Sequence, residues 1–430
     1  MGKFFWRTCR LNAFVFFAFV VWINFAFLSS VTKATLDVRA VWFFYGEVAK
    51  YMRPADRTRA SFEGNVAIVF DNLRRWGVHA VALQVMSHCD AGFRSAVFPS
   101  SASFAGKQGE VLPYDPLEIF LEMAHAAGIQ VFAWFTPLRI VHAGTDAGTD
   151  TTGLAPNNPG LLMLHDGHPG VADLRKDGIW LDAGNPFVQE LCLRAADEIL
   201  DYQVDGLIVD DRMQPRVSIP YNDAEAEAYN AARWPFEQRI RSKVPFETWQ
   251  GGQPADAERT PEAYEEFVFA ESAKLFSLGR FRCTHLEALY RRIHERMRAK
   301  RPNAVFILGP SGNPASCEGH AINPSEWCKE GIVDVLSPQL YWGMTHPTCP
   351  FKNTLEKWLQ MSAGANTKVM PSFSVGYMLQ NKVPPSDHDK MTQICKENTN
   401  VSGLFLFSYG KVLEWEERTK AAGGLFRPWG

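Results

Sequence analysis

The chain has 430 residues, 46% hydrophobic and 21% charged, with a formal net charge of −3. That is ordinary globular composition, long enough for a large core, and neither the charge nor its distribution suggests nucleic acid. Aromatic residues make up 13% and include 13 Trp. Such a stock fills a core, and a sugar-binding cleft also draws on it, because apolar ring faces pack on pyranose faces.

In chain order the first element is a targeting segment. MGKFFWRTCR carries Lys3, Arg7 and Arg10, and an apolar run follows from Leu11 to Leu28, broken only by Asn12 and Asn24. With the small residues of SSVTKA behind it, this reads as a secretory signal peptide over residues 1–34. The apolar run is about 18 residues, the lower limit for spanning a bilayer, so a signal anchor through residues 11–28 is the alternative. Either reading puts residues 36–430 outside the cytosol, secreted in the first case and membrane-anchored in the second. No other membrane contact is expected.

From Asp37 onward, short apolar runs alternate with amphipathic segments. The predicted strands are VRAVWFFY, VHAVALQVM, IQVFAWFTPLRI, VDGLIVDD, AVFILGPSGN, IVDVLSPQLYWG, KVMPSFSVGYM and VSGLFLFSYG, with a helix after each. Gly77, Gly128 and Gly331 stand where helix C-caps are expected. Eight strand–helix units in strict alternation predict a single (β/α)8 barrel of the TIM type, with insertions in the loops after strands two, three and four. A doubly wound open sheet is the runner-up, but no GxGxxG follows the first strand.

Seven cysteines follow Cys9 of the targeting segment, with no CxxC pair and no zinc spacing. Cys317, Cys328 and Cys349 lie close enough in sequence for one local disulfide in an oxidising compartment.

In a barrel of this type the chemistry belongs at the C-terminal ends of the strands. Strand one offers Trp42, Tyr45 and Glu47; strand two Gln84, His88 and Asp90; strand three Trp134 and Arg139. Strand four ends on Asp210 and Asp211, followed by Arg212. Strand five has no acid at its tip, though Glu318 follows. Strand six offers Gln339, Tyr341 and Trp342, strand seven Ser372, Ser374 and Tyr377, and strand eight Ser408 and Tyr409. An HxH metal pair, a phosphate-binding Gly loop, a strand-tip Lys and a GxSxG nucleophile are all missing, so no metal or cofactor is expected. Carboxylates among aromatic rings suit glycoside hydrolysis, where one acid protonates the leaving oxygen and a second group stabilises an oxocarbenium-like centre.

Plainer roles compete. Asp205 reads as a cap at the start of strand four, Asp182 as a helix cap, Trp42 and Trp134 as barrel filling, and Glu47 as a solvated loop acid. Asp210 differs: Gly206, Ile208 and Asp210 share one face by the period of two, and the first two suit a crowded barrel interior. That parity points Asp210 inward at the barrel mouth, and Asp211 elsewhere.

The order QVMSHCDAGFRSAVFPSS, GKQG, YDPLEIFLEMAHAAGIQVFAWFTPLRI, WLDAGNPFVQ, VDGLIVDDRMQP and VLSPQLYW resembles the glycosyl hydrolase-like 10 family, from about Val38 to Tyr409. The resemblance implies a (β/α)8 barrel linked to cleavage of glycans. It also implies that Asp210, Asp211, Gln339, Tyr341 and Trp342 line the site, with Gln84 and Trp134 beside them. The chain departs from the family at Arg212 and Met213, where an aromatic residue is usual, and in GRFRCTHLEAL; Glu47 is not a family feature.

The resulting expectation is a glycosidase acting on a polysaccharide or oligosaccharide, with Asp210 and Asp211 in unequal catalytic roles. Gln84, Trp134, Arg139, Gln339, Tyr341 and Trp342 would bind substrate, and Glu47, Asp90 or Glu318 would supply a second acid across the mouth. An N-acetylated glycan is favoured by analogy with barrel enzymes that use paired acids after strand four. The alternative is a catalytically silent barrel that binds glycans.

Overall fold

The computed structural model describes residues 38–141, 162–164, 179–210, 219–254, 257–380, 382–424 and 426–429, all within the compact unit Leu36–Gly430. The targeting segment, Asp211, Arg212 and Met213 lie outside the described residues.

The strands are β1 (Val38–Phe43), β2 (Ala80–Met86), β3 (Gln130–Phe135), β4 (Arg139–Val141), β5 (Leu162–Leu164), β6 (Ile179–Leu181), β7 (Gly206–Asp210), β8 (Val305–Gly309), β9 (Val335–Leu336), β10 (Lys368–Val369), β11 (Ser372–Ser374) and β12 (Gly403–Phe407). Strands β4, β6 and β5 form a small antiparallel sheet of their own. The rest form one parallel sheet in the order β10-β9-β8-β7-β3-β2-β1-β12-β11.

Both ends of that order are one stave. β10 and β11 are separated only by Met370 and Pro371, and Pro has no N–H to continue a ladder. The stave is bonded on both edges. Met370 N donates to Leu336 O at 2.8 Å and Ser372 N to Pro338 O at 2.9 Å on one side. Ser402 N donates to Val369 O and Phe405 N to Pro371 O, each at 3.0 Å, on the other. Eight parallel staves therefore close into a (β/α)8 barrel, with each expected strand present in shortened form.

Two apolar sets hold it. Inside lie Ala40, Trp42, Phe132, Trp134, Ile208, Ile307, Val335, Met370 and Phe405. Outside, the alternate residues, such as Leu207 and Val209, join a core shared with the helices. Large rings beside small residues let the interior fill, as the taper of a small barrel requires. Gly206 takes part by what it lacks: a Cβ there would lie 2.5 Å from Val305 O.

Local signals place the helices. Thr58, Asp115 and Asn185 cap the helices Arg59–Arg75, Pro116–Ala126 and Pro186–Asp201 by accepting from backbone N–H groups of the first turn. Gly77, Gly128 and Gly331 take φ near +65° to +70° at or just past helix ends, as expected of them. Asp182 is not the cap it was expected to be: Asn185 has that role, and Asp182 Oδ1 instead accepts from Gly184 N at 2.7 Å. Asp205 does act at the strand's start, accepting from Val131 N at 2.8 Å.

Between β7 and the helix Leu278–Lys300 the chain adds the helices Asp223–Lys243, Phe246–Gly252 and Pro261–Leu275, which hold a small apolar cluster of Trp249, Tyr264 and Val268. The local disulfide that the spacing allowed among Cys317, Cys328 and Cys349 is not formed; all seven described cysteines are buried, where they pack as small apolar groups. Among the described residues no helix is long and apolar enough to cross a membrane.

His388 gives the fold a pH dependence. It is 3% exposed, wedged between the rings of Phe373 and Trp415 at 5.7 and 5.0 Å, and neither ring nitrogen has a hydrogen-bond partner. Burial pushes its pKa down from 6.5 to about 4, against a small opposing pull from Asp389. The unfolded chain therefore binds the extra proton first. Stability from this residue should be present above pH 6.5 and fall by on the order of 3 kcal/mol as the pH drops to about 4. Denaturant unfolding from pH 7 to 4 should show this fall in the wild type relative to His388→Leu; a constant difference between the two would contradict it.

Candidate active site

Asp210 ends β7, level with Gly309 of β8, and is 6% exposed. Its parity is that of Gly206 and Ile208, and Ile208 belongs to the barrel interior, so Asp210 takes the inward direction at the mouth. Gly309 brings no side chain to the neighbouring position, and a Cβ there would lie 3.3 Å from Trp42 Cη2. The Gly309 tip, beside that of Asp210, thus stands next to the Trp42 indole.

Trp42 and Trp134 meet edge to face, 4.9 Å between centroids. Trp42 Nε1 donates to Ser372 Oγ at 2.9 Å, and Ser372 Oγ is 3.0 Å from Ser337 Oγ, so one buried polar chain crosses from the first stave to the sixth. Trp134 is 7% exposed and its Nε1 is buried without a hydrogen-bond partner. Little of its ring face is open; what it holds in reserve is a donor. Gln84 Oε1 accepts from Tyr45 N at 3.1 Å, joining the tips of β2 and β1, and Gln339 Nε2 donates to Gly309 O at 3.1 Å, bracing the tip beside Asp210.

A row of half-buried rings runs along the rim. Phe44 stacks on Phe407 at 6.0 Å, Phe407 on Tyr341 at 5.8 Å, and Tyr341 meets Tyr377 edge-on at 6.1 Å. Trp342 sits beside this row, tilted against His346 at 5.4 Å. Phe44 and Phe407 escaped the sequence reading. The signal was available: Gly403, Phe405 and Phe407 share the inward parity of the eighth strand.

The remaining candidates are dispersed. Asp90 is buried, and its Oδ1 accepts from His88 N at 3.1 Å and from Ser87 N and Oγ at 3.4 Å; burial raises its pKa. It folds its own loop. Glu318 is exposed and accepts from Ser277 Oγ at the start of the helix Leu278–Lys300. Arg139 is buried and donates from Nε to Ser87 O at 3.1 Å, tying two loops together. Glu47, expected as a solvated acid if not functional, is 5% exposed and faces the ends of β1 and β12. Asp211 lies outside the described residues.

A buried ion pair was also missed, because its partners are 57 residues apart. Arg282 Nε and Nη2 donate to Glu225 at 2.7 and 2.9 Å, Nη2 also donates to Ile219 O at 2.8 Å, and the guanidinium lies 3.4 Å over the Tyr221 ring. It fixes the chain where it returns from beyond β7.

The matches to known proteins follow this geometry. The family description "Glycosyl hydrolase-like 10" covers residues 37–382. The chain belongs to that family. Among its relatives are glycosyl hydrolase DigH of Escherichia coli (strain K12), 23% identical with 71% of this chain and 63% of the relative covered, and glycosyl hydrolase YngK of Bacillus subtilis (strain 168), 22% identical with 75% and 57% covered. The chain thus spans about three-fifths of the length of these relatives. The barrel recurs in the β-galactosidase from Rahnella sp. R3 (TM-score 0.56, 12% identity, 87% of this chain and 52% of that one). It recurs too in the β-galactosidase from Marinomonas ef1 (TM-score 0.53, 11% identity, 90% and 60%). At these identities the likeness is one of fold.

Gly312 tests how tightly the site is built. A Cβ there would lie 2.0 Å from Gln339 O and 2.9 Å from Trp342 Cζ3. Gly312→Ala must push the Gln339–Trp342 tip aside and should cost about 3 kcal/mol in denaturant unfolding. Gly64→Ala, in open space on the helix Arg59–Arg75, should stabilise by about 0.5–1 kcal/mol in the same measurement.

Proposed function

We propose that the chain is a glycoside hydrolase that cleaves O-glycosidic bonds at the C-terminal mouth of its barrel. The observation that carries the reading is Asp210, a buried carboxyl on the inward face of β7 beneath a rim of aromatic rings. Family membership and relatives named as glycosyl hydrolases support it. The half-buried Tyr341 and Trp342 suit sugar rings.

Asp210 and Asp211 are adjacent in sequence and cannot readily flank a bond at the usual ~5–10 Å carboxylate separation. In this proposal they take unequal roles. Crowding keeps one protonated as general acid, while the other stays ionised as nucleophile or orients a substrate acetamido group that attacks in its place. An N-acetylated glycan is the substrate that this second role favours. A binding-only barrel is the second reading, favoured by the local bonds that occupy Asp90 and Glu318.

Turnover decides between them. Asp210→Asn and Asp211→Asn should each lower kcat at least ~10²-fold on a glycan that the wild type cleaves, with the thermal melt unchanged. Near-normal kcat in Asp210→Asn would sink the assignment, and no turnover by the wild type across N-acetylated and neutral glycans would favour binding alone.

The same proposal places the domain outside the cytosol, on the strength of Lys3, Arg7, Arg10 and the apolar run after them. N-terminal sequencing of the exported protein should begin near Thr35. An intact N-terminus in a membrane fraction would favour the anchor, and a soluble cytosolic protein would contradict both forms.

A further inference from the structure

A cavity of about 590 Å³ is lined from the helices Pro385–Glu397 and Tyr409–Ala421 and from Arg427 of the C-terminal segment. It shares no lining residue with the mouth, and its volume is within the range of small-molecule sites.

Its charge runs against that of the chain. The chain carries a formal −3, yet Lys390, Lys396 and Arg427 line the cavity against the single carboxylate of Asp389. Three cations against one anion leave two positive charges in excess. Like charges gathered in one concavity repel one another, and the same geometry focuses their field on an anion that enters.

Two of the three cations are open to a ligand. Among the described residues Arg427, exposed on the C-terminal segment, has no hydrogen bond and no ion pair. Lys390 is 64% exposed, and its Nζ stands 3.8 Å from Asp387 Oδ1, beyond hydrogen-bond reach. The other oxygen of Asp387 is engaged by Met344 N at 2.9 Å.

One wall is aromatic. Trp415 is half-buried, and His388 at 5.0 Å and Phe426 at 5.1 Å meet it at steep angles and hold it in place. The ring surface left over lines the cavity, together with Pro385. Burial keeps His388 neutral at pH 8, so this wall adds no charge of its own.

We propose that this cavity binds an organic dianion, its charge met by Arg427, Lys390 and Lys396 and its body packed on Trp415 and Pro385. The two excess charges set the charge of the ligand, and the Trp415 wall asks for a body with an apolar face. A phosphate monoester and a dicarboxylate share this chemistry. Binding alone reads it, independently of hydrolysis at the mouth.

Calorimetric titration of the full chain at pH 8 with phenyl phosphate, phenylmalonate, inorganic phosphate and phenol tests it. At least one of the two ring-bearing dianions should bind about tenfold more tightly than phenol, which lacks the charge. The same dianion should bind severalfold more tightly than inorganic phosphate, which lacks the ring, and its identity names the head group. The double variant Lys390→Gln, Arg427→Gln should weaken that binding about tenfold or more. Both residues are exposed, so the variant keeps the fold. Lys243→Gln, which removes an exposed cation on the insertion after β7, should leave the affinity unchanged. No preference of either dianion over phenol, equal binding of inorganic phosphate, full affinity in the double variant, or an equal loss in Lys243→Gln would each overturn the proposal.

Discussion

The double pairing of the broken seventh stave is the constraint on which the rest of the molecule depends. Pro371 interrupts the ladder, yet Met370 and Ser372 still donate to one neighbouring stave while the carbonyls of Val369 and Pro371 accept from the other. Without both sets of bonds the sheet would keep two open edges, and its inner face would have no enclosed interior to fill. With them, every second side chain on every stave is committed to a closed space. Gly206 must then be small, Ile208 must be apolar, and the next inward position falls at the mouth, where it carries Asp210.

Closure also sets the electrostatic character of the mouth. The indoles of Trp42 and Trp134 fill the interior, where Trp42 Nε1 is held in the Trp42–Ser372–Ser337 chain and Trp134 Nε1 has no hydrogen-bond partner. Charge is instead concentrated where the chain must be fixed. The Arg282–Glu225 pair is buried on both sides and holds Ile219 O and Tyr221 as well. Removing one member would strand the other, at a cost of about 3–5 kcal/mol. The pair therefore ties the return path of the strand-four loop to the helix Leu278–Lys300, at the side of the barrel where Asp210 lies.

How much of this the sequence could say follows from the range of each interaction. The eight staves and the helix ends at Gly77, Gly128 and Gly331 rest on local periods and single residues, and they were legible; the cap expected at Asp182 was not, since Asn185 takes it. The roles of the other acids were not. Glu47 looked like a loop carboxylate because its donor, Ser408, is 361 positions away. Asp90 looked available for chemistry, but its bonds to Ser87 and His88 depend on a loop conformation that spacing does not reveal. The cysteines show the same limit: close spacing allowed a bridge, and no disulfide joins Cys317, Cys328 and Cys349. The small sheet of β4, β5 and β6 had no period long enough to announce it.

Phe44 is the point at which the mouth meets a cavity beside it. Its ring stacks on Phe407 toward the mouth and also lines that cavity, together with Glu47. Tyr45 meets the ring edge-on at 5.7 Å, and Gly46 leaves room for it, since a Cβ there would lie 2.6 Å from its Cε2. A residue bulkier than glycine at position 46 would have to move this ring, and with it the stacking on Phe407 at the rim.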